Sequence, residues 1–333
     1  MMRSARIPAL LAGAAAIGSA CVAKSTSDPP AQTLPASDGG VDDSVLASQG
    51  ADAGGAVGDA APAGAPPALL RVAQMSPDLP PIDVCLAIHG TGAFEGPLLA
   101  KIAADAGVDS GAPALEFAQV SAYLSLTAGQ YDARIVPAGS AGCDASSSLA
   151  DGTALSPLAY DTSGTLLVAG DASPAGEDSG LTLVVLPDDA VLASGAASMR
   201  AINAVPSVAS LDFGYGSFAT GWLPLLTAVG FASVGTQVGP NDDPADSNGY
   251  VPIEPLSGQI LSARASSGAT SDTAVADVTV PVGSIATVIA VGGKTGDAIH
   301  PPALLLCIDN QPPGGLLADC SFASATGGEG ADQ

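Results

Sequence analysis

The sequence predicts an all-β protein: two tandem antiparallel β-sandwich-like (Ig-like) domains after a signal peptide and a disordered linker. Three observations lead there. Past residue 67 the chain runs in short stretches rich in Val, Leu and Ile, broken by turn residues. It holds 41 Gly and 27 Pro, about a fifth of the chain, which favours turns over long helices. One order of strands and motifs also occurs twice, the signature of an internal duplication of about a hundred residues. With 333 residues there is length for two domains, each with its own core, and only 4% aromatic content leaves those cores to aliphatic side chains.

Residues 1–20 read as a signal peptide. A basic start (Arg3, Arg6) precedes an apolar run from Ile7 to Ile17 and small residues before Cys21, too short for a transmembrane span. Cys21 after Gly18-Ser19-Ala20 resembles a bacterial lipobox, in which the thiol is lipidated and becomes the new N-terminus. Gly18 stands where that pattern usually has Leu, and ordinary cleavage after Ala20 fits the same residues. The preferred reading is a lipid anchor at Cys21, which makes a membrane the first partner. Residues 21–67, rich in Pro, Ala, Gly and Asp, bury too little apolar surface to offset ordering. As a flexible coil this stretch spans about 35 Å, a tether that lifts the rest off a membrane surface. A first repeat over 68–193, a second over 197–323 and a disordered tail over 324–333 complete the expected organisation.

The duplication is carried by particular residues. "LLRVAQMSPDLPPIDVC" sets Arg71, Pro77 and Asp83 six apart, and "SMRAINAVPSVASLDFG" sets Arg200, Pro206 and Asp212 at the same spacing. "FAQVS" at Phe117–Ser121 answers to "FASVG" at Phe231–Gly235. "LTAGQYDAR" answers to "LSGQILSAR", with Leu126 and Arg134 spaced like Leu256 and Arg264. "VVLPDD" at Val184–Asp189 answers to "LLCIDN" at Leu305–Asn310, and the insert "GPLLA" at Gly96–Ala100 answers to "LPLLT" at Leu223–Thr227. Pro77, Pro80 and Pro81 fix φ and remove donors, so their stretch is a rigid crossing between strands. Arg71 and Asp83 are expected to pair at the end of a sheet, a structural role.

These residues resemble the bacterial family known as domain of unknown function 4397. Its members open with an Arg strand, a Ser-Pro-Asp-x-Pro turn and an Asp-Val strand, and later carry a Leu-x-Ala-Gly-x-Tyr strand ending in Pro-Ala-Gly. Here those are Arg71, Ser76-Pro77-Asp78, Pro80, Asp83-Val84, Leu126, Ala128-Gly129, Tyr131 and Pro137-Ala138-Gly139. In the second copy Ser207 replaces the turn Asp, and Ser266-Ser267-Gly268 replaces Pro-Ala-Gly. Where members often have His before the turn, this chain has Gln74 and Asn203. The resemblance implies tandem β-sandwich-like modules in secreted or surface proteins, with no established activity.

Charge and composition narrow the function. There are 33 acidic residues against 9 basic ones, and no acid precedes Cys21, so removing the leader leaves the chain more acidic still. Such a field repels nucleic acid and anionic headgroups. With only His89 and His300, both read as exposed loop residues, most acid–base schemes and His-rich metal sites lack parts. "GYGSFA" at Gly214–Ala219 matches a loose dinucleotide-binding pattern, but Gly221 and Pro224 make a poor helix behind it, and a loop is expected. "NDDPADSNG" at Asn241–Gly249 and "DAGVDSG" at Asp105–Gly111 gather oxygen ligands for calcium without completing a motif. No catalytic residue, metal site or cofactor is assigned.

Four cysteines remain after Cys21: Cys85, Cys143, Cys307 and Cys320. In a secreted chain they point to two disulfides with three connectivities, of which 85–143 and 307–320 keeps each bridge within one repeat. The leading reading is a non-catalytic cell-envelope lipoprotein, on the outer membrane or surface, with an unknown envelope or extracellular ligand; secreted and periplasmic placements are the alternatives. The rival functions are an envelope-polymer hydrolase using carboxylates and a calcium-dependent adhesion module.

Overall fold

The computed structural model describes residues 65–105, 114–172, 180–190, 192, 195–206, 208–217, 219–239, 244–267, 271–293, 299–310 and 317–323. The signal peptide, Cys21, the linker up to residue 64, the tail, residues 106–111 of the first acidic calcium candidate and 241–243 of the second lie outside them. All described residues belong to one compact unit, Val57–Gln333.

The first repeat contains β1 (Ala68–Gln74), β2 (Ile82–Ile88), α1 (Leu98–Asp105), β3 (Gln119–Val120), β4 (Leu124–Leu126), β5 (Tyr131–Pro137), β6 (Ala150–Gly152), β7 (Ser163–Ala169) and β8 (Thr182–Pro187). Its inner sheet runs β3-β1-β7-β8 with β4 also on β1, and its outer sheet runs β2-β5-β6. The second repeat contains β9 (Ala197–Asn203), β10 (Ser210–Ser217), β11 (Gly221–Gly230), β12 (Gln237–Val238), β13 (Val251–Ile253), β14 (Leu256–Ala265), β15 (Ala274–Val280), β16 (Ile285–Val291), β17 (Ala303–Ile308) and β18 (Cys320–Phe322). Here the inner sheet is β13-β9-β16-β17-β18 and the outer one β12-β11-β10-β14-β15. The sandwich architecture is as the sequence predicts, with one difference inside it. β1 pairs parallel with β7, and β9 parallel with β16, in matching registers.

Alternation along the inner strands explains their burial on both faces. On β1, Ala68, Leu70 and Val72 enter the core of the first repeat, while Ala73 and the following Met75 enter a different cluster. On β9, Ala197, Met199 and Ala201 enter the core of the second repeat, while Ile202 and Ala204 join that same different cluster. This third core holds residues of both repeats, so the inner sheets pack back to back. The expectation of two separate cores is therefore incomplete: each repeat has one, and they share another.

Disulfides join Cys85 to Cys143 and Cys307 to Cys320, each within one repeat. The second links directly opposed positions of β17 and β18.

Candidate functional site at the junction of the repeats

The expected Arg71–Asp83 pair does not form, because the two residues lie on different sheets: β1 is in the inner one and β2 in the outer one. The strand beside Arg71 is β7, which sets Thr165 opposite it. Arg71 Nε donates to Thr165 Oγ1 at 2.8 Å. That hydroxyl in turn donates to the Asp188 carboxylate, 2.7 Å to the nearer oxygen. Tyr123 Oη donates to Asp188 Oδ2 at 2.8 Å, and the Arg71 guanidinium lies 5.1 Å from the centre of the Tyr123 ring.

The second repeat builds the same set from equivalent residues. β16 sets Thr287 opposite Arg200, with Arg200 Nε donating to Thr287 Oγ1 at 2.9 Å. Thr287 Oγ1 donates to Asp309 Oδ2 at 2.5 Å, and Tyr250 Oη donates to the same oxygen at 3.0 Å. The Arg200 guanidinium sits 4.7 Å from the Tyr250 ring centre.

The two sets then cross. Arg71 Nη2 lies 2.8 Å from Asp309 Oδ1, in the other repeat. Arg200 reaches back through Nη2 to Asp188 Oδ1 and through Nη1 to the carbonyl of Pro187. Arg71 also lies 3.3 Å from Asp188. All four charged side chains are almost wholly buried. Two cations and two anions make the group neutral, and mutual pairing offsets desolvation that would otherwise be prohibitive.

Electrostatics follow from this enclosure. Burial alone would raise the Asp188 carboxyl, but Arg200 and Arg71 outweigh it and hold it below the ordinary carboxylate range. Burial would lower both guanidinium groups, and the carboxylates more than compensate, so Arg71 and Arg200 stay charged. Burial, with Asp188 next, pushes Tyr123 far up, and burial with Asp309 does the same to Tyr250. Asp188 and both arginines are thus held in their charged forms and both tyrosines in their neutral one, with every one of these pKa values moved away from pH 7.

Beside these crossed ion pairs opens a cleft of about 560 Å³ whose walls include Tyr123, Ser163, Asp188, Asp189, Asp309 and Asn310. Its polar groups are engaged. Asp189 Oδ1 accepts from the Ser163 backbone N–H (3.0 Å) and Oγ (2.9 Å), and Asn310 Oδ1 accepts from Ile285 N at 2.9 Å.

The remaining sequence candidates have local structural roles. Asp83 accepts from the backbone N–H groups of Val84 at 2.7 Å and of Leu99 and Ala100 at 2.9 Å each, capping the start of α1. Burial raises its pKa, with those donors pulling the other way. Asp212 accepts from Ala228 N at 2.7 Å and Ser266 Oγ at 2.6 Å, so each Asp pins its repeat's insert. Pro77 and Pro206 are buried in turns that follow β1 and β9. "GYGSFA" is not a loop over its first four residues: they belong to β10, where a Cβ on Gly214 would meet Leu223 O at 2.3 Å and the Trp222 ring at 2.6 Å. Trp222 stacks on Arg264, which pairs with Asp272 at 2.7 Å, and Phe94, Arg134 and Asp151 repeat the arrangement in the first copy. His89 is partly exposed and bonds Asp132 at 2.7 Å, while His300 packs edge-on to Phe117 across the junction. Among the described residues no group of three or more His, Cys, Asp or Glu could hold a metal ion.

Residues 68–214 match a family described as a domain of unknown function (DUF4397), a span that covers the first repeat and runs into β10. No curated protein matches the chain. Among solved structures it is similar to a Bacteroides eggerthii protein proposed to act in cell adhesion, at 11% identity, with 78% of this chain and 97% of that one covered. The TM-score of that comparison is 0.15, too low for the likeness to bear on fold or function.

Proposed function

We propose that the protein is a non-catalytic envelope module, anchored by a lipid on Cys21, that presents two joined β-sandwiches to a ligand outside the cytoplasm. The observation that carries this reading is the junction, where buried charge is satisfied internally and committed to holding the repeats together. A carboxylate hydrolase needs one proton-donating and one ionised acid. Asp188 and Asp309 are the buried acidic pair at hand, and each is tied to arginine, threonine and tyrosine partners. Two disulfides fit an oxidising compartment. Among the described residues no helix is long and apolar enough to cross a membrane, which leaves anchoring to the N-terminus in this reading.

Membrane fractionation with fatty-acid labelling tests the anchor. The full chain is expected in the membrane fraction with label, and Cys21→Ser in the soluble fraction without it. An unlabelled native protein that begins freely at Cys21 overturns the lipid anchor. Binding is tested separately with purified envelope polymers. A raised melting temperature without turnover supports a binding module, whereas turnover abolished by one Asp or Glu substitution establishes an enzyme.

A further inference from the structure

We infer that the junction is self-complementary: each repeat carries a docking face for which a second copy of the same repeat is a chemically equivalent partner. The shared core is made of matched residues. Ala73 corresponds to Ile202, Met75 to Ala204, Leu167 to Ile289, Ala169 to Val291 and Leu186 to Cys307, and all ten lie in the one cluster. The correspondence follows from the registers, since β1 on β7 and β9 on β16 align Arg71 with Thr165 and Arg200 with Thr287.

The ion pairs obey the same rule. Arg71 of the first repeat pairs with Asp309 of the second, while Arg200 of the second pairs with Asp188 of the first. Residue i meeting j while j meets i is the contact pattern of a two-fold isologous interface, here between two copies on one chain. If a second copy of the first repeat replaced the second repeat, Arg71 would meet Asp188 in place of Asp309, with Thr165 and Tyr123 in the supporting positions. Large and small residues are also distributed over both faces, so neither is a knob and neither a hole. The connection between Ala190 and Ala196 therefore selects which copies pair, by raising their effective concentration.

The test uses the full chain with a protease site inserted between Ala190 and Ala196. Each disulfide lies within one repeat, so cleavage divides the chain only there. After cutting, the halves are expected to co-elute as one complex on size exclusion. After unfolding in urea and dilution, native mass spectrometry is expected to find first–first, second–second and first–second pairs. Exclusively first–second pairs, or separated halves, would overturn the inference. Where the cut chain does not refold, an uncut chain in which residues 196–323 are replaced by a second copy of residues 68–190 decides. It is expected to be a monomer that unfolds in one cooperative transition, and two copies that unfold independently, or a chain that only aggregates, overturn the inference.

Discussion

Asp309 and its image Asp188 each accept from a threonine and a tyrosine hydroxyl while facing an arginine of the other repeat. Removing one carboxylate strands a buried cation, so Asp309→Ala is expected to cost about 3–5 kcal/mol. Tyr250→Phe removes one hydrogen bond to a charged acceptor and should cost about 1–3 kcal/mol; urea unfolding of the full chain measures both. The pH dependence has a definite sign. Asp188 has a native pKa below its unfolded value of about 3.9. Its stabilisation is complete above that value and disappears as pH falls through the native pKa. Urea midpoints from pH 7 to pH 2 should show a shallower acid limb for Asp188→Asn than for wild type; equal limbs would refute the assignment. None of this partnership was legible locally. Arg71 and Asp83 lie 12 positions apart in one motif, but Arg71 pairs with Asp309, at the far end of the second repeat.

Strands were the readable elements, because β-branched and leucine-rich runs bounded by Gly and Pro can do little else at such lengths. Pairing was less readable: the sequence expects antiparallel neighbours, whereas β1 takes β7, a strand nearly a hundred residues on, in parallel. The inserts show where local sequence decides. "GPLLA" and "LPLLT" share Pro-Leu-Leu, yet the first continues into "KIAAD" and becomes α1, while the second continues into "AVG" and stays in β11. Ala, Lys and Leu favour helix, whereas Thr, Val and Gly do not. Asp83→Ala should therefore expose the first turn of α1, costing about 1–2 kcal/mol and speeding amide exchange at Leu99 and Ala100. Gly214→Ala should separate β10 from β11, since the added methyl collides with backbone as well as with Trp222. A loss of about 1–3 kcal/mol with altered tryptophan fluorescence is expected.

For the whole molecule, the shared core and crossed ion pairs mean that neither repeat can unfold without exposing the other's face. Calorimetry should show one transition whose calorimetric and van't Hoff enthalpies agree, rather than two. Replacing Cys85 and Cys143 with serine removes a loop constraint contributing about 4 kcal/mol. That loss should shift the entire transition rather than melt the first repeat alone. The duplication made the existence of two sandwiches readable, whereas their fusion was not: the residues that face the junction look like ordinary core residues. The long-range pairing of β1 also has a temporal consequence. As the chain leaves the ribosome, β1 waits for β7 before its sheet can close, and Arg71 waits for Asp309 until the second repeat is almost fully synthesised. The sheets of the first repeat can close once β8 has emerged, but its junction face stays uncovered until the final strands arrive.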